Sequence, residues 1–369
     1  MSYLDELNVP RVINASGRMT ALGVNTLSDE VLAAMAEAGR SYVDMRELRQ
    51  AAEERIAELI GAQDALITTG AAAGVALMVA ACIAGDDLVR VQALPDALGH
   101  PHEILLQAGH QVSFGAPVVQ MIRMAGGQPH PIGLVNSVNE AHLTGAFGPQ
   151  TAAFLYVQSH HTVHKGMLAL ERCIELCADE NVPVLIDAAA EEDLTHFVQS
   201  GAALVTFSGG KAIGGPTSGI VAGRRALVQA CRAQNGGIGR PMKVGKEQIL
   251  GLWVALEAYR QRDVAGEQAR NRAIVDELLA GFAPFAETRR LADEAGRGIE
   301  RAGIVLTAER AAQLVDFLEK GSPPIHTRGH LVALGIVAFD PRPLAEGDVA
   351  VIVGRVGEFF GKKGDADKN

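Results

Sequence analysis

Aromatic residues are scarce, 4% with one Trp and four Tyr among 369 residues, which leaves little from which to build a base-stacking platform for single-stranded nucleic acid. Positive charge is also lacking. The formal net charge is −10 and no run of Lys or Arg exceeds a pair, so a phosphate backbone is repelled. The four cysteines, Cys82, Cys173, Cys177 and Cys231, show no CxxC spacing, and Cys173 and Cys177 stand four apart on an apolar helical pattern, as buried reduced thiols do. The opening MSYLDELNVPRVIN has neither the basic start nor the unbroken apolar core of a secretory signal, which points to the cytoplasm. No membrane segment is expected, because the longest nearly uncharged stretch, 65–85, breaks at Thr69-Gly70. What is present, 48% hydrophobic and 21% charged residues, is enough for two or three folded domains.

Helix and strand patterns alternate. Ser28 opens a helix as N-cap, with Asp29 and Glu30 in the positive first turn and Val31, Leu32 and Met35 as its apolar stripe. A second helix runs from about Arg46 to Ile60 and stops at Gly61; Ala65 to Thr69 then reads as a buried strand that turns at Gly70 into an Ala-rich helix, Ala71 to Ala84. Further strands are expected at Ala152–Val157, Val182–Ile186, Ala203–Phe207 and Gly219–Ala222, with a helix at Gly166–Asp179. Short apolar strands interleaved with helices predict an α/β fold with a mostly parallel sheet covered on both faces. The pattern divides into an N-terminal arm with the first helix (1–45), a large domain (46–245), a long connecting helix (246–282), a small C-terminal α/β domain (283–361) and a tail (362–369). The small domain shows strands near Gly303–Leu306 and His330–Phe339 and helices near Ala308–Lys320 and Asp348–Phe360.

In such sheets ligands gather beyond the carboxyl ends of the strands. Gly70, Ala71 and Ala72 open a helix there with free N–H groups and small side chains, suited to a phosphate or simply to a tight turn. Asp187 closes a strand, as a cleft carboxylate or a helix cap. Ser208-Gly209-Gly210-Lys211 places one lysine directly after a strand. This is not a nucleotide P-loop, since Val205 stands where its first Gly is required and Ala212 replaces its Ser or Thr. A lysine among apolar and glycyl neighbours suits Schiff-base chemistry, and Lys211, Asp187 and Gly70–Ala73 together supply what pyridoxal phosphate needs: an amine, an acid for the pyridine nitrogen and an anion cradle.

The segments Phe207–Gly219, Ile13–Gly17, Ser159–Thr162 and Asp340–Leu344 resemble the fold-type I pyridoxal-phosphate enzymes of the selenocysteine-synthase-like group. Within it, the loop SGGKA is similar to that of the D-glucosaminate-6-phosphate ammonia-lyase branch rather than the SGDK of selenocysteine synthases; Gly210 marks the departure. The resemblance implies a fold-type I architecture, a pyridoxal 5'-phosphate cofactor bound covalently by Lys211, Asp187 at the pyridine nitrogen, and Ser208 with Gly70–Ala72 at the phosphate. It implies a ring over the cofactor from His102 (or His100), a substrate carboxylate held by Arg328 (with Arg18 and Arg240 as alternatives), and His161 or His160 at the substrate. It further implies a small amino acid or amino sugar acid as substrate and at least a homodimer. The expected reaction removes water and ammonia from a 2-amino-3-hydroxy acid. The alternatives are transfer on an aminoacyl-tRNA, or an aldolase or racemase of the same fold. No metal is expected, although eight of the eleven histidines fall between 100 and 164, because neither an HExxH spacing nor a cysteine partner is present.

Overall fold

The computed structural model describes residues 2–159, 161–293 and 298–361. The chain divides into two compact units, one of residues 27–261 and one of residues 1–26 together with 262–369. Among the described residues the strands are, in chain order, β1 (Ile13–Ala15), β2 (Asp64–Thr68), β3 (Glu103–Gln107), β4 (Gln128–Ile132), β5 (Thr151–Val157), β6 (Val184–Asp187), β7 (Leu204–Ser208), β8 (Gly219–Gly223), β9 (Glu287–Ala292), β10 (Glu300–Val305), β11 (Ile325–Thr327) and β12 (Ile336–Phe339).

The larger unit is built on a seven-stranded sheet in the order β2-β8-β7-β6-β5-β3-β4. Its strands are parallel except β8, which is antiparallel to both of its neighbours. Alternation along each strand sends Phe154, Ile186 and Phe207 to one core and Leu155, Leu185 and Leu204 to the other, the pattern of a sheet buried on both faces. The helix Ala71–Ala84 lies in the second core and is apolar all round, as a fully buried helix must be. It seats on β7 through Gly74, where a Cβ would come 2.1 Å from Thr206 Oγ1. The helices Asp29–Arg40, Met45–Ile60, Leu170–Asp179 and Lys246–Gln261 cover the other face. Ser28 caps the first of these as expected, its Oγ accepting from Val31 N.

The smaller unit joins an antiparallel sheet β12-β10-β9 to a parallel pair β1-β11, and packs the helices Val264–Phe282, Ala308–Glu319 and Asp348–Gly361 around Phe282, Ile304, Phe339 and Ile352. Two boundaries differ from the sequence reading. The pattern over 246–282 folds as two helices, Lys246–Gln261 and Val264–Phe282, because Asp263 leaves the helix to cap the second one, its carboxylate accepting from Gly266 N. The unit boundary falls at that break. Likewise the arm 1–45 is divided, since β1 pairs with β11 and takes residues 1–26 into the C-terminal unit, whereas the helix Asp29–Arg40 belongs to the larger one. Within 330–339, Gly329–Leu334 forms a 3₁₀ turn closed by Gly335 at φ +78°, and only Ile336–Phe339 is strand.

Candidate active site

The site residues of the larger unit converge through strand register. Ser208 pairs with Gly219, which pairs on its other side with Thr68, so the lysine loop after β7 and the turn after β2 meet at one end of the sheet. Gly219 is required at the meeting point, because a Cβ there would come 2.6 Å from Gly70 C and 2.9 Å from Ala71 N. Gly70 stands extended before the helix Ala71–Ala84 and no side chain caps it. The first helical bond runs from Gly74 N to Gly70 O, so the N–H groups of Ala71, Ala72 and Ala73 have no partner among the described residues and face outward at the positive end of the helix dipole.

Asp187 ends β6, two positions along the row from the lysine loop, with Val157 of β5 on one side and Thr206 of β7 on the other. It is buried and accepts from Ala189 N at 3.2 Å. Burial pushes its carboxyl up to about 6, opposed by that hydrogen bond and by the positive charge of Lys211. Lys211 is half-buried in a loop held by Gly209 N donating to Ser218 O at 2.9 Å and by Gly215 N donating to Gly209 O at 2.8 Å. These residues fit pyridoxal phosphate. Three unpartnered N–H groups form a cradle bare of side chains, and a carboxyl that gains from a cationic neighbour lies within electrostatic reach of the lysine.

The ring expected from His102 is not at this end. His102 precedes β3, donates its backbone N–H to Gln150 O ahead of β5, and has Nδ1 2.8 Å from His100 O, which puts both histidines at the opposite, amino edge of the sheet. The histidine that follows β3 at its carboxyl end is His110, which sequence reasoning missed because β3 itself was not recognised. It is buried, edge-on to Tyr156 at 4.6 Å, and its Nδ1 accepts from Val157 N at 3.2 Å. Burial and the neighbouring His164 hold its ring down at about 4, so it stays neutral. His161 is exposed in the loop after β5, its N–H donating to Ser159 Oγ at 3.2 Å; His160 lies outside the described residues. Arg240 lines a cavity of about 580 Å³ with Arg49, Glu53, Asp64, Arg232 and Lys243.

Arg328 and Arg18 belong to the smaller unit, where they follow the carboxyl ends of the paired strands β11 and β1. Around Arg328 lies an ion network the sequence did not announce. Buried Asp340 binds Arg342 in a two-point fork at 2.9 and 2.8 Å and Arg301 Nε at 2.9 Å, while Arg301 Nη2 reaches Asp293 at 2.9 Å. Burial opposes ionisation of Asp340, but the Arg342 hydrogen bonds and the charges of Arg342 and Arg301 outweigh it and hold the carboxyl at about 2. Both aspartates are thus engaged by other arginines, and among the described residues the buried Arg328 Nε has no acceptor. Burial and the like charge of Arg301 lower the Arg328 pKa, so an arriving carboxylate would relieve it. Among the described residues no group of three or more His, Cys, Asp or Glu is arranged to hold a metal.

The topology is that of fold-type I pyridoxal-phosphate enzymes. The chain is 40% identical over 358 residues to the D-glucosaminate-6-phosphate ammonia lyase of Salmonella typhimurium, covering 96% of each. It is 42% identical over 379 residues to a 5'-C-glycyluridine monooxygenase-decarboxylase of a Streptomyces species, covering 99% of this chain and 94% of that one. A solved structure of D-glucosaminate-6-phosphate ammonia-lyase superposes with a TM-score of 0.90 at 38% identity, covering 98% and 99% of the two chains. With residues 12–281 matching the family described as SelA, L-seryl-tRNA selenium transferase, the chain belongs to that family.

Proposed function

We propose that the chain is a pyridoxal-phosphate-dependent ammonia-lyase acting on a 2-amino-3-hydroxy acid, D-glucosaminate 6-phosphate or a related sugar amino acid: the 3-hydroxyl leaves as water, one water is taken up again as the resulting enamine tautomerises and hydrolyses, and the net products are ammonia and a 2-keto-3-deoxy acid. The observation that carries this reading is the meeting of Lys211, Asp187 and the bare cradle at one sheet end, in a chain 40% identical to such a lyase over 96% of its length. Bound through its aldehyde to Lys211, the cofactor supplies an electron sink for the substrate's Cα. Ser208 and the turn Gly70-Ala71-Ala72, with the helix-end N–H groups of Ala71, Ala72 and Ala73, hold the phosphate. Asp187 keeps a proton on the pyridine nitrogen, the cation that its burial otherwise denies it. With the cofactor bound, Lys211 would take the Cα proton as general base and would deliver a proton to the neighbouring carbon that has lost its hydroxyl. Arg328 orients the substrate carboxylate with its planar fork, and His161 protonates the departing hydroxyl. The enzyme works in the cytoplasm as at least a homodimer and binds neither nucleic acid nor membrane; among the described residues no helix is long and apolar enough to cross one.

The 42% identity to a monooxygenase-decarboxylase favours a second reading, oxygen-dependent decarboxylation at the same lysine. A panel of D- and L-amino acids and 2-amino sugar acids, with and without phosphate, separates the two. Ammonia and 2-keto acid released in equal amounts, with no oxygen uptake, is the expected result. Oxygen uptake with carbon dioxide release would establish the second reading instead. Transfer on aminoacyl-tRNA is disfavoured by the net charge of −10, and a filter-binding assay with tRNA should retain none.

A further inference from the structure

β2 is an edge strand, paired only with β8, so the backbone groups of Ala65 and Ile67 face away from the sheet. All four are nonetheless satisfied, and by side chains. Ala65 N donates to Asp64 Oδ1 at 2.8 Å, and Ala65 O accepts from Arg232 Nη2 at 3.0 Å. Ile67 N donates to Glu53 Oε1 at 3.0 Å, and Ile67 O accepts from Arg49 Nη2 at 3.1 Å. Glu53 is the hub of this clamp: it is 2% exposed, Arg49 reaches its Oε1 at 3.4 Å and Arg232 its Oε2 at 3.1 Å. A buried carboxylate is costly to keep, and here it replaces the missing neighbour strand at the last edge residue before the chain enters Thr69 and the Gly70 turn.

We propose that Glu53 is a positioning residue for the anion cradle: by fixing Ile67 on the free edge of β2 it sets where the N–H groups of Ala71, Ala72 and Ala73 point. The inference rests on the reading of that cradle as the cofactor's phosphate site. A clamp with a purely structural role would lower thermal stability and leave ligand preference alone, whereas a positioning clamp acts on the phosphate and spares the rest of the ligand.

The test compares equilibrium binding of pyridoxal 5'-phosphate and of pyridoxal, which lacks the phosphate, to the apoprotein, followed by absorbance, alongside thermal midpoints. Glu53→Ala leaves Ile67 N without an acceptor and should weaken pyridoxal 5'-phosphate binding by about tenfold while pyridoxal changes by less than about threefold, so the phosphate preference falls. Glu53→Gln keeps an oxygen for Ile67 N and should return the preference to within about threefold of the parent. If Glu53→Ala does not fold, Arg49→Gln, which disturbs the partner of Ile67 O, carries the same comparison. A parent that prefers the phosphorylated ligand and a variant that keeps the full preference overturn the proposal alone. A parent that binds both ligands equally overturns the cradle reading and the proposal with it.

Discussion

Asp187 holds its carboxyl in a place where almost no water reaches it, at a cost that the Ala189 N–H bond and the charge of Lys211 relieve only in part. With a folded value of about 6 against an unfolded value near 3.9, the protonated form is the one the apoprotein favours. That contribution is complete below the unfolded value and is lost as pH rises through 6, to the extent of about 3 kcal/mol. Asp187→Asn should therefore unfold at a higher temperature than the parent apoprotein at pH 8, with the gap closing toward pH 4, yet it should lose most turnover when loaded, because an amide cannot keep the pyridine nitrogen protonated. Calorimetry at the two pH values with a rate measurement checks both halves; a variant equal to the parent in each would make Asp187 a mere cap. Asp340 has the opposite sign. Held at about 2, it contributes stability above its unfolded value that is lost as pH falls through 2, so Asp340→Asn should cost at least about 2 kcal/mol in denaturant titrations at pH 7, and little near pH 2. Arg328→Lys keeps a charge but loses the fork, and should raise KM and lower kcat together with the cofactor spectrum unchanged. Unaltered kinetics would send the search for the carboxylate partner to Arg18 and Arg240.

At the scale of elements, the close passage of β8 across the cradle is the feature most open to test. Gly219→Ala forces a methyl against Gly70 and Ala71 and should weaken cofactor binding by about tenfold or more, read by equilibrium titration; an unchanged affinity would mean the turn yields freely. The same scale explains what could and could not be read in the sequence. The helices Asp29–Arg40 and Ala71–Ala84 were legible because one carries a serine cap and the other an unbroken small apolar run after Gly70. β4, with Pro129 and Pro131, defied the usual strand pattern; it pairs only with β3, and an edge strand tolerates missing donors. β9 is mostly exposed and charged, so it offered no alternation. The break at Asp263 carries no Pro, and its only signals, an Asp cap with Gly266 three residues on, are hidden inside a pattern that reads as continuous helix. Missing β3 had the largest consequence, since it sent the search for a ring to His102 and past His110. The placement of Lys211, Asp187, Ser208 and Gly70 at or just beyond strand ends was readable because those strands, β7, β6 and β2, have a clear apolar composition. The Glu53 clamp and the Asp340 network were not, because their partners lie far apart along the chain.

For the whole molecule, the proposed reading assigns catalysis to Lys211 and Asp187 at the carboxyl end of the seven-stranded sheet and proposes Arg328 as the group that receives the substrate carboxylate. A light-scattering mass of at least twice the 38.8 kDa chain is expected of the holoenzyme in solution; a monomer that retains full activity would contradict the expected homodimer. The most direct measurement of the central claim is borohydride reduction of the protein loaded with pyridoxal phosphate, followed by peptide mapping. The account predicts a yellow protein whose reduced cofactor is fixed on Lys211 alone, with no label and no turnover in Lys211→Ala. Label on another lysine, or none on a protein that still turns over, would contradict it.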